Sequence, residues 1–85
     1  MNYNLVYTRR AEKDIKKLDP FIKGYIGKAL PKLKDNPVEL SEKLTDPEIG
    51  TYRFRIGDYR VIFDIEGNDI IILRVGHRKE IYRRL

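Results

Sequence analysis

Among the 85 residues of this chain, four arginines, a histidine and a tyrosine have the types and spacing that could do chemistry. Arg53, Arg55 and Arg60 flank the turn signal Gly57-Asp58. Arg78 follows an aliphatic run that ends in Val75-Gly76-His77, and Tyr82 comes within one or two turns of it. A guanidinium is a planar fork of N–H donors that grips phosphate or carboxylate through two parallel bonds. The cations divide unevenly: residues 1–50 hold eight lysines and two arginines, residues 51–85 seven arginines and one lysine. That split marks the second half as a binding surface and leaves the lysines to solvated helix faces. The net charge of +5 favours polyanionic partners.

A two-residue hairpin loop at Gly57-Asp58 sets the register. It pairs Ile56 with Tyr59, Arg55 with Arg60, Phe54 with Val61 and Arg53 with Ile62, and facing pairs point to one side of a sheet. Arg53, Arg55 and Arg60 therefore share one face, and Tyr52, Phe54, Ile56, Tyr59, Val61, Phe63 and Ile65 share the other. Like charges at about 6 Å repel by roughly 0.7 kcal/mol in water and about 2.8 kcal/mol at an effective dielectric of 20. Arginines placed opposite one another break a local rule, and such breaks concentrate at functional sites. A second turn at Gly67-Asn68 pairs Ile62 with Leu73 and Arg60 with Val75. The arginines then rim an exposed apolar strip of Ile62, Ile71, Leu73 and Val75, with Arg78 leaving the strand beside Arg60.

The elements that must hold these residues follow from periodicity and punctuation. Tyr3, Leu5 and Tyr7 alternate as a strand. Thr8 caps a helix that begins at Arg9 and carries Ala11, Ile15 and Leu18 as an apolar stripe. Asp19-Pro20 starts a second helix with Asp at the N-cap and Pro at the first helical position. Pro31 removes a hydrogen bond from that pattern and predicts a kink or a break into two short helices, and Asn36-Pro37 stops it. Residues 38–50 read as a connecting loop, with Glu39 and Glu42 as solvated charges. Three strands and two tight turns follow (52–56, 59–65 and 70–75), and residues 76–85 close the chain as a short helix. The expected fold is α+β: an N-terminal strand, a helical hairpin, then a three-stranded antiparallel meander, forming one sheet with the helices on one face. Residues 1–85 leave room for one domain.

Other chemistries are excluded by composition. The chain has no cysteine and one histidine, so it has neither a disulfide nor a His/Cys metal cluster. That suits a reducing cytoplasm. No carboxylate cluster suggests a metal, the glycines are isolated rather than arrayed in a phosphate loop, and no cofactor is expected. The N-terminus lacks the apolar stretch of a signal peptide, and Ile70-Ile71-Ile72-Leu73 is too short to span a bilayer, so no membrane partner is expected.

The stretch Tyr52-Arg53-Phe54-Arg55-Ile56-Gly57-Asp58-Tyr59-Arg60-Val61-Ile62-Phe63, followed by Val75-Gly76-His77-Arg78-Lys79-Glu80-Ile81-Tyr82, resembles the RelE/ParE superfamily of toxins from toxin–antitoxin modules. The resemblance covers the whole chain. It implies a RelE-like toxin that cuts mRNA on the ribosome, without metal, by making the RNA 2′-hydroxyl attack its own phosphate, and so inhibits translation. It implies as partners a RelB-like antitoxin, mRNA on the ribosome and rRNA. Carried over by motif, Arg53, Arg55, Arg60, Arg78 and Tyr82 fall on the family's site positions: Arg55, Arg60, Arg78 and Tyr82 are the catalytic candidates, and Arg53, Arg55, Arg60 and Arg78, together with Lys79, the RNA-binding ones. The best-known RelE pattern has lysines where this chain has Arg53 and Arg55. Arginine does not surrender its proton near neutral pH, so the proton-transfer group is sought in Tyr82 or His77. Histidine titrates near ~6.5, and adjacent arginines favour a tyrosine's phenolate. ParE-type members share the fold but poison DNA gyrase and generally lack the nuclease residues. A gyrase-poisoning toxin and an inactive antitoxin-binding relative are the alternatives.

Overall fold

The structure, a computed structural model, describes residues 3–45 and 50–81. Its elements run β1 (Asn4–Tyr7), α1 (Arg9–Lys16), α2 (Pro20–Ala29), a 3₁₀ segment (Leu30–Lys34), β2 (Glu42–Lys43), β3 (Tyr52–Ile56), β4 (Tyr59–Glu66) and β5 (Asp69–His77). The strands form one sheet in the order β1-β5-β4-β3-β2. β3, β4 and β5 are the expected antiparallel meander, while β1 runs parallel to β5, which makes the sheet mixed. The helical hairpin lies on one face.

The helix starts obey the local code. Thr8 Oγ1 accepts the Ala11 amide at 3.1 Å, and the same hydroxyl donates to the Ile72 carbonyl at 2.9 Å. One side chain thus caps α1 and ties its start to β5. Asp19 Oδ1 accepts the Phe21 amide at 2.9 Å, with Pro20 at the first helical position. Helix α2 ends at Ala29 and tightens into the 3₁₀ segment where Pro31 withholds its N–H.

The core lies between the hairpin and one sheet face. Ala11, Ile26, Leu30 and Leu33 pack against Phe54, Ile56, Val61, Phe63, Ile70, Ile72 and Val75, with Tyr52, Tyr59 and Ile65 at its margin. The apolar face expected from the first hairpin is therefore the face that receives the helices.

Three expectations are corrected. The stretch 38–50 is not loop throughout, because Glu42 and Lys43 pair with Arg53 and Tyr52 as the edge strand β2. Two residues are too few to show a period. The second hairpin keeps the expected register only from Glu66↔Asp69 to Phe63↔Ile72. An irregularity then shifts it by one residue, so that Ile62 faces Arg74, Val61 faces Val75, Arg60 faces Gly76 and Tyr59 faces His77. A bulge adds one residue to one strand and moves every later side chain to the other face. Val75 consequently joins the core. The exposed apolar strip does not exist: Ile62 is 0% and Val75 2% exposed, and Leu73 is partly covered. Gly50 explains the cover, since a Cβ there would lie 2.6 Å from Ile62 Cγ2 and 2.9 Å from Leu73 Cδ1. The chain entering β3 lies directly on these side chains, and Asp64 Oδ1 holds it there by accepting the Thr51 amide at 2.7 Å.

The bulge sits where β1 stops. Beyond the Tyr7↔Ile72 pair β5 has no strand on that side, and α1 supplies a substitute. Asp14 Oδ2 accepts from Arg74 Nε at 2.7 Å and from the Val75 amide at 3.0 Å, and Asp14 Oδ1 from Arg74 Nη2 at 3.3 Å. One carboxylate thus satisfies a strand-edge N–H and a guanidinium together.

Candidate nucleic-acid interface

The arginine face is built on the β3–β4 hairpin, whose register places Arg55 opposite Arg60 as the two-residue loop requires. Gly57 takes φ 59°, the left-handed value that the first position of a II′ hairpin turn needs. Tyr25 of α2 fills the space beneath it, its hydroxyl 3.4 Å from where a Cβ would stand.

The opposed arginines are reconciled by turning to different acceptors. Arg60 is only 9% exposed, and its Nη1 donates to the carbonyls of Gly57 at 2.8 Å and Tyr59 at 2.9 Å. It is thereby fixed to its own turn. Arg55 reaches the other way, across the sheet edge, and its Nε lies 2.9 Å from Glu42 Oε1. Arg53 Nη2 lies 3.3 Å from the same oxygen. Glu42 is thus no free surface charge but the shared partner of two guanidinium groups. The sequence reading missed it because it depends on β2.

Arg78 joins the same hairpin from β5. Its amide donates to the Asp58 carbonyl at 2.8 Å, and its Nε lies 3.5 Å from Asp58 Oδ1. Arg60 and Arg78 therefore both address the turn of residues 57–59. The chain then folds into one tight turn, with the Glu80 and Ile81 amides each 2.9 Å from the His77 carbonyl. Ile81 is buried against Gly76, which by register shares the face of Arg60. Lys79 is exposed beside Arg78. Tyr82 and the remainder of the helix expected over 76–85 lie outside the described residues.

His77 does not join the cluster. It pairs with Tyr59, whose ring belongs to the core margin, and the two rings meet edge to face with centroids 5.3 Å apart. The imidazole therefore lies on the helix side of the sheet, across from Arg60. Its Nδ1 accepts the Lys79 amide at 3.1 Å. With Lys17, Asp19, Tyr59, Arg74 and Glu80 it lines a cleft of about 280 Å³ at the end of α1. The bulge is the reason: without the one-residue shift, residue 77 would face the other side.

Taken together, Arg53, Arg55 and Arg60 share one face, Arg78 meets the same turn, and the carboxylates of Glu42 and Asp58 lie among them. The arrangement can bind and neutralise a chain of phosphates. Among the described residues no three of His, Asp and Glu gather to hold a metal ion, and no helix is long and apolar enough to cross a membrane.

Both the sequence and the fold match known proteins. The model of the ParE toxin of the type II toxin–antitoxin system, parDE, matches residues 5–82. Toxin RelG of Mycobacterium tuberculosis is 36% identical over 87 residues, covering 99% of this chain and all of that protein. A chain of the toxin–antitoxin complex RelBE2 from the same organism superposes with a TM-score of 0.82 at 31% identity, covering 92% of this chain and 100% of that one. The intact E. coli RelBE toxin–antitoxin complex shares the fold, with a TM-score of 0.74 at 21% identity over 88% of this chain and 95% of that one.

Proposed function

The chain belongs to the RelE/ParE superfamily of type II toxins, and from that premise we propose that it is a ribosome-dependent mRNA endonuclease. The observation that carries this reading is the convergence of Arg60 and Arg78 on one turn, with Arg53 and Arg55 on the same face. A gyrase-poisoning protein has no need to hold a phosphodiester in this way.

In the proposed reaction the RNA 2′-oxygen attacks the adjacent phosphorus. The P–O2′ bond forms, the P–O5′ bond breaks, and a 2′,3′-cyclic phosphate and a 5′-hydroxyl result. Charge grows on the non-bridging oxygens as phosphorus becomes five-coordinate. Arg55, Arg60 and Arg78 stabilise that charge, and Arg60 does so with least reorganisation because the turn already holds it. The 2′-hydroxyl proton must go to a base and the 5′-oxygen must receive one, and neither service comes from arginine. His77 is turned to the far face, which supports Tyr82, the residue after Ile81, as the proton-transfer group. Arg53 and Lys79 take flanking phosphates. No metal ion is required, since the guanidinium groups supply the positive charge.

The test is single-turnover cleavage of mRNA on programmed ribosomes at constant magnesium, with a ribose or a 2′-deoxy sugar at the cut site. Cleavage of the ribose substrate, abolished by the 2′-deoxy sugar, is the expected result. Cleavage of the deoxy substrate discards the mechanism.

The matched family model is named for ParE toxins, which favours gyrase poisoning as the second reading. Inhibition of DNA supercoiling with translation intact would establish it in place of the first. The partner is an antitoxin of RelB type, as in the complex of the 31% identical relative, and an acidic segment suits the arginine face. Co-expression with the antitoxin is expected to yield a complex and relieve toxicity.

A further inference from the structure

Glu42 occupies the point between Arg53 and Arg55 where a phosphate oxygen would sit. We propose that Glu42 is an internal competitor for RNA, a specificity-determining residue that occupies a contact shared by both arginines in the free protein and gives way there to a phosphodiester. The inference rests on the reading of the arginine face as an RNA site and adds a residue that the reading does not use.

The geometry is specific. Arg55 Nε and Arg53 Nη2 both address Oε1 of Glu42, at 2.9 and 3.3 Å. An oxygen bridging two guanidinium groups reproduces the contact that a non-bridging phosphoryl oxygen makes. The register secures it, since Glu42 faces Arg53 directly in the β2–β3 pair and Arg55 is two residues along on the same face.

The grip is also releasable. The Glu42 side chain is 52% exposed and that of Arg55 59%, so water screens the pair and a surface ion pair of this kind shifts an equilibrium by only about two- to fivefold. Rotating one side chain withdraws the carboxylate from both arginines, and no strand has to move. A phosphate that arrives while Glu42 stays must tolerate a like charge beside it. One that displaces Glu42 must offset the lost ion pairs. Either way a lone polyanion binds less tightly than the four arginines alone would bind it. The residue therefore selects for a ligand anchored at further points.

Binding of a short, uniformly 2′-O-methylated single-stranded RNA, which cannot be cut, tests the proposal by fluorescence anisotropy between about 50 and 200 mM salt. Glu42→Gln keeps the shape and removes the charge. It should bind about two- to fivefold more tightly, and its log–log salt slope should steepen by about 0.7, the share of one further neutralised phosphate on a single strand. Glu66→Gln, the same charge change at the far end of β4, should match the parent. In the parent, RNA should shift the Arg55 Nε–H signal toward its position in RNA-bound Glu42→Gln. A Glu42 that merely staples β2 to β3 would leave affinity and slope unchanged in Glu42→Gln while lowering its Tm, and that outcome overturns the proposal. If Arg55→Ala and Arg60→Ala weaken binding in the same assay, the RNA site survives that failure. If neither does, the site itself and the competitor fall together.

Discussion

Arg60 ties the proposed chemistry to the structure of the turn. Its guanidinium commits one nitrogen to two turn carbonyls, and on the proposed reading its other N–H groups meet a phosphate. Arg60→Ala should therefore weaken RNA binding and also cost about 1–2 kcal/mol of stability, a fall in Tm of at least ~4 °C for a domain of this size. Lys16→Ala, on α1, should change neither. Thermal melts read beside anisotropy separate the two effects. The two candidates for proton transfer carry opposite expectations. Tyr82→Phe should slow single-turnover cleavage by about 10²- to 10⁴-fold. His77→Ala should stay within about threefold of the parent, because its ring lies with Tyr59 on the helix side. A large loss on His77→Ala alone would place the chemistry in the cleft beside α1.

At the scale of elements, the junction of α1 with β5 governs the register on which the face depends. Asp14→Ala removes the carboxylate from Arg74 and the Val75 amide, and should cost about 2–4 kcal/mol by urea denaturation. A double-mutant cycle with Arg74→Ala should return a coupling of about 1–3 kcal/mol, and additivity would argue that the clamp is idle. This junction also marks where the sequence stops being readable. The helix starts at Thr8 and Asp19-Pro20, the break at Pro31 and the β3–β4 register were all legible, because each depends on residues within a few positions of one another. The bulge was not, because it answers to the end of β1 and to an aspartate some sixty residues away. From it follow the misplaced strip and the misplaced His77. Glu42 was hidden for a related reason, since its role needs a strand of two residues whose only evidence is its partner. Arg53, Arg55, Arg60 and Arg78 were legible as a set because a tight turn leaves little freedom in what faces what.

For the whole molecule the excess of positive charge is a statement about partners. Neutralising three or four phosphates gives a slope of log affinity against log salt near ~−2 to −4 on ribosomes carrying mRNA. Pelleting at increasing salt measures it, and a flat response would remove the arginine–phosphate contacts from the account. An acidic antitoxin segment should compete in the same assay and lose its hold with salt in parallel. A protein that bound its antitoxin through apolar contacts alone would show no such dependence.

The parallel pairing of β1 with β5 has a consequence in time. Asn4 pairs with Asp69, sixty-five residues later. A ribosome adding ~5–20 residues per second leaves β1 without its partner for roughly 3 to 13 s. Until then the β5 edge, the Asp14 clamp and the seat of Arg78 do not exist. On the reading proposed above, a nascent chain therefore carries no complete arginine site until Arg78 has been added.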